Sequence, residues 1–136
     1  MKITTQLSDS NFNYICHSLP QKKIPYISVS QFKEDYQEQR AYILEEKGKP
    51  VAMCSLVWSN KHQNFAIKRM ICFKKANAGK GYANKLVAFV SNLGKAPICC
   101  TPWLDNSSMR RILEKNGFQL KYIFSQHWCF YEKLAN

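Results

Sequence analysis

Gly79-Lys80-Gly81 stands between an extended apolar run (residues 65–73) and an amphipathic helical run (residues 82–93). A strand, a short glycine turn and a helix start together form a pocket of inward-pointing backbone N–H groups. The first N–H groups of a helix have no intrahelical partner, and the helix dipole places partial positive charge beside them. Such a place suits phosphate oxygens. Gly79 and Gly81 let the backbone turn sharply and approach a ligand with no Cβ in between. Lys74, Lys75, Lys80 and Lys85 surround the turn with positive charge. The chemistry on offer is anion binding. A glycine-x-glycine turn also serves as a plain tight loop, so its surroundings decide between the two.

A strand, a crossover helix and a second strand must carry the turn. Residues 65–73 read as a strand, and residues 82–93 as a helix with Ala83, Leu86, Val87 and Val90 inward. Gly94 suits the C′ position of that helix, and Pro97 prevents its continuation. Residues 98–101 form a short apolar strand, so the crossover pairs two strands in parallel. Upstream, residues 2–6 read as an edge strand. Ser8 or Ser10 caps a helix with Phe12, Ile15, Cys16 and Leu19 on one face, ending near Pro20. Residues 21–27 read as loop, with Pro25 stopping any helix. Ser28-Val29-Ser30-Gln31 has capping-box spacing and puts Val29, Phe32 and Tyr36 on one face of a second helix.

Residues 41–46 and 51–58 make a hairpin through Lys47-Gly48-Lys49-Pro50, and a polar turn at 59–64 leads into the strand at 65–73. Downstream, Asp105 or Asn106 caps a helix with Met109, Ile112 and Leu113 inward, closed by Asn116-Gly117. With Asp105 as the cap, Leu104 and Met109 stand at hydrophobic-staple positions. Residues 118–125 and 127–134 read as two strands rich in aromatic residues. The fold class is α/β (α+β): a mixed, mostly antiparallel sheet with one parallel β-α-β crossover and helices on both faces.

A single domain spanning residues 1–136 accommodates this order, and 46% hydrophobic residues supply its core. No repeat, low-complexity tract or linker divides the chain. The N-terminus is polar and lacks a signal-peptide core, and no apolar run approaches the ~20 residues of a membrane span. A soluble, cytoplasmic protein with no membrane partner is expected. The six cysteines show no C-x-x-C pair, and His17, His62 and His127 supply no closely spaced ligands. Buried reduced thiols and no metal site are the expectation. Adjacent Cys99 and Cys100 point to opposite faces of a strand, which disfavours a bond between them. Twenty Lys and Arg against nine Asp and Glu give a formal charge of +11. That charge steers anionic partners: a phosphorylated cofactor, nucleic acid or an acidic surface. Trp58, Trp103 and Trp128 are dispersed, as packing or pocket walls are, rather than grouped as a nucleic-acid stacking platform.

This order of elements, with two motifs inside it, resembles the GNAT N-acetyltransferase family. The likeness covers residues 41–134 well and the N-terminal helices loosely. The family's acetyl-CoA motif, Arg/Gln-x-x-Gly-x-Gly/Ala, appears as Ala78-Gly79-Lys80-Gly81-Tyr82-Ala83, with both small positions kept and the leading Arg/Gln replaced by Ala78. A second signature, an Asn followed by a helix ending in Tyr-Glu-Lys-x-Gly-Phe, appears as Asn106 and Leu113-Glu114-Lys115-Asn116-Gly117-Phe118. The closing Phe130-Tyr131-Glu132-Lys133-Leu134 also looks like the family's last strand.

The resemblance implies acetyl-CoA as cofactor and an amine as acceptor. Backbone groups of Ile71, Cys72 and Phe73 would meet the pantetheine arm, which adds to the sheet like a short strand. An N–H in that strip would polarise the thioester carbonyl and stabilise the oxyanion. The pyrophosphate would sit on the N–H groups of Gly79, Lys80, Gly81, Tyr82, Ala83 and Asn84. Asn106 would hydrogen-bond the pantetheine or order the site, or act only as a helix cap. Losing the side chain expected at Ala78 weakens cofactor binding, which Lys74, Lys75 or Lys80 would offset.

The chain departs from the family in its acid–base groups. Residues 65–73 contain no carboxylate, with Lys68 and Arg69 there instead, and Leu113 takes the place of the Tyr that serves as general acid. Glu114 would project from another face of that helix. The general base and acid are therefore unassigned. The side chains in reach are Cys100, as proton donor or nucleophile; Asp105, which doubles as a cap; and Tyr122 and Tyr131 in the last hairpin. Proximity in a ternary complex also supports transfer with no dedicated residue. Three readings stand: an acetyl-CoA-dependent N-acetyltransferase using a small-molecule, protein or nucleic-acid-linked primary amine; a CoA-binding regulatory module without catalysis; and a basic nucleic-acid-binding protein using Lys68, Arg69, Arg110 and Arg111. Monomer and homodimer are both compatible with the sequence.

Overall fold

The computed structural model describes residues 1–19, 27–73, 79–94 and 97–134. Among these residues the elements follow the expected order: β1 (Lys2–Thr4), α1 (Asp9–Ser18), α2 (Val29–Gln37), β2 (Ala41–Glu46), β3 (Lys49–Ser59) and β4 (Asn64–Cys72). Then come α3 (Tyr82–Ser91), β5 (Ile98–Cys100), α4 (Ser107–Lys115), β6 (Gln119–Phe124) and β7 (Trp128–Lys133). Pro20, Pro25, Lys74, Lys75 and Ala78, on which several expectations rested, lie outside the described residues.

Local chemistry accounts for most boundaries. Ser8 and Ser28 cap α1 and α2 by accepting from the N–H groups of Asn11 and Gln31. The box expected at Ser28 is only half made, because the Gln31 amide turns down the helix to Asp35. Lys47 and Gly48 take left-handed conformations (φ 51° and 76°), the pair that a two-residue hairpin turn demands. Lys49 and Pro50 already pair with Glu46 and Glu45, so the turn is tighter than the four residues expected. Asn106, not Asp105, caps α4 by accepting from the Met109 N–H, which removes the Leu104–Met109 staple. The helix α3 ends at Ser91 with Asn92 as its C-cap, so Gly94 (φ 77°) falls one place beyond C′.

The sheet runs β1-β2-β3-β4-β5-β7-β6, antiparallel throughout except for the parallel β4–β5 pair. Alternation along β2 and β3 builds a core on each face. Tyr42, Leu44, Ala52, Cys54 and Leu56 pack with Leu86, Val87, Val90 and Leu113 of α3 and α4. Ala41, Ile43 and Met53 pack with Ile15 of α1, its C-cap Leu19, and Phe32 of α2. Ile27, read as loop from the sequence, is buried in that second core. Among the described residues no helix is long and apolar enough to cross a membrane.

Candidate functional site

The parallel pairing of β4 with β5 covers only Phe65–Ile98 and Ala66–Cys99, whereas β3 stays paired with β4 as far as Cys72. Past Cys100 the chain keeps to β7: the Cys129 N–H donates to the Pro102 carbonyl, and Trp103 bridges Trp128. Pro102 has no N–H to offer β4. The two strands therefore part, and a cleft of about 740 Å³ opens between them. Ser28 and Gln31 wall it on the α2 side, Asn106 and Met109 on the α4 side. Trp103 and Trp128, their rings 4.3 Å apart, both line it, whereas Trp58 is outside this lining and packs edge-on against Phe65.

Parity decides which β4 groups face the open edge, because successive residues of a strand direct their backbone groups to opposite neighbours. Phe65 donates to Pro97, ahead of β5, whereas Phe73 donates to Val51 on β3. Ile71 likewise faces β3, opposite Met53. Of the three residues expected to meet a cofactor arm, Cys72 is the one whose N–H and carbonyl point away from β3, to the edge that β5 has left. The expectation for Phe73 is corrected on this point, since its N–H is committed to Val51.

Beyond the open edge the chain reaches α3 through Gly79 (φ 78°) and Gly81 (φ 79°). Among the described residues a Cβ at either would meet no atom within 4 Å, and the left-handed backbone is what demands glycine. Gly81 is the N-cap and supplies no side-chain acceptor. Among the described residues nothing caps the N–H groups of Tyr82, Ala83 and Asn84, which carry the dipole-assisted partial positive charge of a helix start. Lys80 and Lys85 are exposed beside them. An open strand edge followed by an uncapped helix start, beside a cleft of this volume, fits an extended ligand with an anionic end such as CoA.

The four candidate catalytic side chains are scattered. Cys100 lines the cleft, but burial, with Cys99 beside it, pushes its thiol up to about 12. Asp105 is exposed and does not line the cleft. Tyr122 is exposed on β6 and stacks on Phe130 at 4.9 Å. Tyr131 is fully buried; its hydroxyl donates to Glu114 at 2.6 Å and accepts from Arg110 Nε at 3.0 Å. Burial raises its pKa, Glu114 adds to the rise, and Arg110 opposes it. Glu114 does leave α4 on another face from Leu113, toward Tyr131. Of the basic residues expected along the cleft, Lys68 and Arg69 line it. Arg110 is instead tied to Tyr131 and the Leu104 carbonyl, and Arg111 is exposed outside the lining. Asn106 lines the cleft while its side-chain oxygen caps α4. Among the described residues no group of three or more His, Cys, Asp and Glu is placed to hold a metal.

Sequence reasoning missed Asp35. It is fully buried on α2, and its carboxylate accepts from Arg69 Nε (2.6 Å) and Nη2 (2.9 Å), Arg40 Nε (2.7 Å), Ser55 Oγ (2.7 Å) and Gln31 Nε2 (3.3 Å). Burial alone would raise its pKa; the bonds from Arg69, Ser55 and Arg40 together outweigh that and lower it. The signal was present: Phe32, Asp35 and Tyr36 fall at i, i+3 and i+4, so a carboxylate stands on the apolar face and needs partners.

The chain belongs to the GNAT acetyltransferase family: the family model described as an acetyltransferase (GNAT) domain matches residues 37–120. No match is found among curated proteins. A GNAT acetyltransferase from Bacillus cereus ATCC 10987 superposes with a TM-score of 0.78 at 17% identity, covering 99% of this chain and 97% of that one. One from Streptococcus agalactiae 2603 gives 0.75 at 15%, covering 99% and 95%. A spermidine N-acetyltransferase from Vibrio cholerae, in complex with CoA and spermine, gives 0.71 at 15%, covering 98% and 95%. At these identities the likeness is one of fold.

Proposed function

We propose that the chain is an acetyl-CoA-dependent N-acetyltransferase that passes the acetyl group directly to a primary amine in a ternary complex. The observation that carries this is the parting of β4 from β5 just ahead of the uncapped α3 start, within a GNAT domain. Cys72 offers its backbone N–H and carbonyl to the pantetheine arm. The N–H groups from Gly79 to Asn84 receive the pyrophosphate, with Lys80 and Lys85 adding positive charge. Bound acetyl-CoA supplies an acetyl group activated as a thioester. The open face of the cleft between α2 and β4 admits the amine. All nine acidic residues lie among the described residues and none lines the cleft, so the amine's proton passes to water rather than to a carboxylate.

Calorimetry with acetyl-CoA and a thiol-release assay across primary amines test this together. Saturable binding with release of free CoA supports it; no binding at millimolar acetyl-CoA sinks it. The same lack of a cleft carboxylate, with Leu113 buried where a general acid is expected, favours a second reading, a CoA-binding module without catalysis. Binding with no thiol release from any amine would select that one.

A further inference from the structure

A regular strand sends consecutive side chains to opposite faces, yet Lys68 and Arg69 share one. The pairing slips between Met53 and Ser55, whose partners are Ile71 and Lys68, so Arg69 and Met70 together oppose Cys54. This is a β-bulge, and Arg69 sits in it at φ 54°, a conformation that residues other than glycine seldom adopt. Ile67 and Met70 pack on the α3–α4 core. Lys68 is opposite Ser55, whose hydroxyl reaches Asp35 on α2, and Arg69 bonds Asp35 directly. Two consecutive cations thus emerge on the α2 side of the cleft, and both line it.

Their surroundings differ. Asp35 occupies the Nε–Nη2 edge of Arg69 and fixes the plane of the guanidinium, so a carboxylate or phosphate in the cleft would meet the Nη1 side of that plane. Asp35 is shared with Arg40, so its single negative charge is divided between two cations. Lys68 is exposed, and no acidic residue lies within ion-pair distance of it. With none of the nine acidic residues in the lining, a polyamine entering here would meet like charge and no carboxylate.

We propose that the acceptor is a small primary amine that also carries an anionic group, carboxylate or phosphate, held by Lys68 and Arg69 on the α2 side of the cleft. This rests on the N-acetyltransferase reading above. A purely structural Arg69, there only to neutralise Asp35, leaves Lys68 without a role, so Lys68 is the residue to test.

The test measures thiol release at saturating acetyl-CoA with 2-aminoethyl phosphate, β-alanine, ethanolamine and spermidine, in wild type and Lys68→Glu. Acetyl-CoA affinity is measured in parallel by calorimetry. The expected result is kcat/KM at least about tenfold higher for the two anionic amines than for ethanolamine or spermidine. In Lys68→Glu their KM should rise by about tenfold or more, with acetyl-CoA affinity unchanged. Equal or better use of ethanolamine or spermidine overturns the proposal, as does a KM indifferent to Lys68→Glu. Should no amine turn over, 2-aminoethyl phosphate is titrated into CoA-loaded protein: saturable binding lost in Lys68→Glu supports the proposal, and no binding at millimolar concentration overturns it. Failure of acetyl-CoA itself to bind overturns the parent reading as well, which separates the two failures.

Discussion

Arg69 Nε lies 2.6 Å from Asp35 Oδ2, joining the bulge of β4 to the buried face of α2. Neither group is stable there alone: the carboxylate is fully buried, and Arg69 is held in a left-handed conformation unsuited to its side chain. Each explains the other: the bulge delivers the cation that the buried carboxylate requires.

Replacing Asp35 with Asn keeps the shape and removes the charge, leaving Arg40 and Arg69 without their shared partner. A loss of about 3–5 kcal/mol is expected in urea unfolding. The pH dependence carries a sign. Because the folded pKa is lowered from 3.8, the unfolded chain binds the proton more readily, and stability rises with pH through that window. The stabilisation is complete above the ordinary Asp range and lost as pH falls through the depressed value. The stability gap between wild type and Asp35→Asn should therefore be constant above that range and shrink below it. A gap that stayed constant into strong acid would contradict the ion-pair account.

Gly81→Ala places an L residue at φ 79°, with no atom of the described residues in its way. The strain is conformational, about 1–2 kcal/mol in unfolding free energy. Relief of that strain would move the first N–H groups of α3, so acetyl-CoA affinity by calorimetry should fall by about tenfold. Unchanged affinity would mean that the turn is only a turn.

How far the sequence spoke depends on distance along the chain. Ser8, Ser28, Asn106 and the Lys47-Gly48 turn act within a few residues of themselves, and the order of elements was legible from them. The glycines at 79 and 81 were legible for the same reason. Three features were not. The face taken by Arg69 depends on a slip against β3; Asp35 finds Ser55 and Arg69 far along the chain; and the Tyr131 hydroxyl is aimed by packing against α4. Each is a matter of register between distant strands or helices, which periodicity within one segment does not encode.

Cys100 tests nucleophilic chemistry. With its thiol near 12, only ~1 in 10,000 copies would be thiolate at pH 8. Cys100→Ala should retain turnover within about threefold and cost about 1–2 kcal/mol through the small cavity left. No acetyl-enzyme should appear by mass spectrometry after acetyl-CoA alone. A stable acetyl adduct on Cys100 would reverse this conclusion.

Proton removal by solvent has a kinetic signature. The described cleft lining contains no Asp, Glu or His, so no enzyme base should titrate near neutrality. Thiol-release kcat/KM should climb about tenfold per pH unit until it nears the amine's own pKa. A plateau set by a group near pH 6–7 that persists across amines of different basicity would point to an enzyme base.

Tyr131→Phe separates structure from chemistry in the last hairpin. The hydroxyl is committed to Glu114 and Arg110, and the side chain does not line the cleft. Its pKa is raised, chiefly by burial and then by Glu114, so the proton stays on the oxygen at neutral pH, where it serves as a donor to Glu114. Glu114 is exposed and regains water when the hydroxyl is removed, whereas Arg110 is partly buried and loses one acceptor. A destabilisation of about 1–2 kcal/mol follows. A side chain that donates a proton in the transition state is worth ~10²–10⁴ in rate, so the expected change in kcat, within about threefold, lies far from a catalytic effect. A hundredfold fall in kcat with the melting transition intact would return Tyr131 to the reaction.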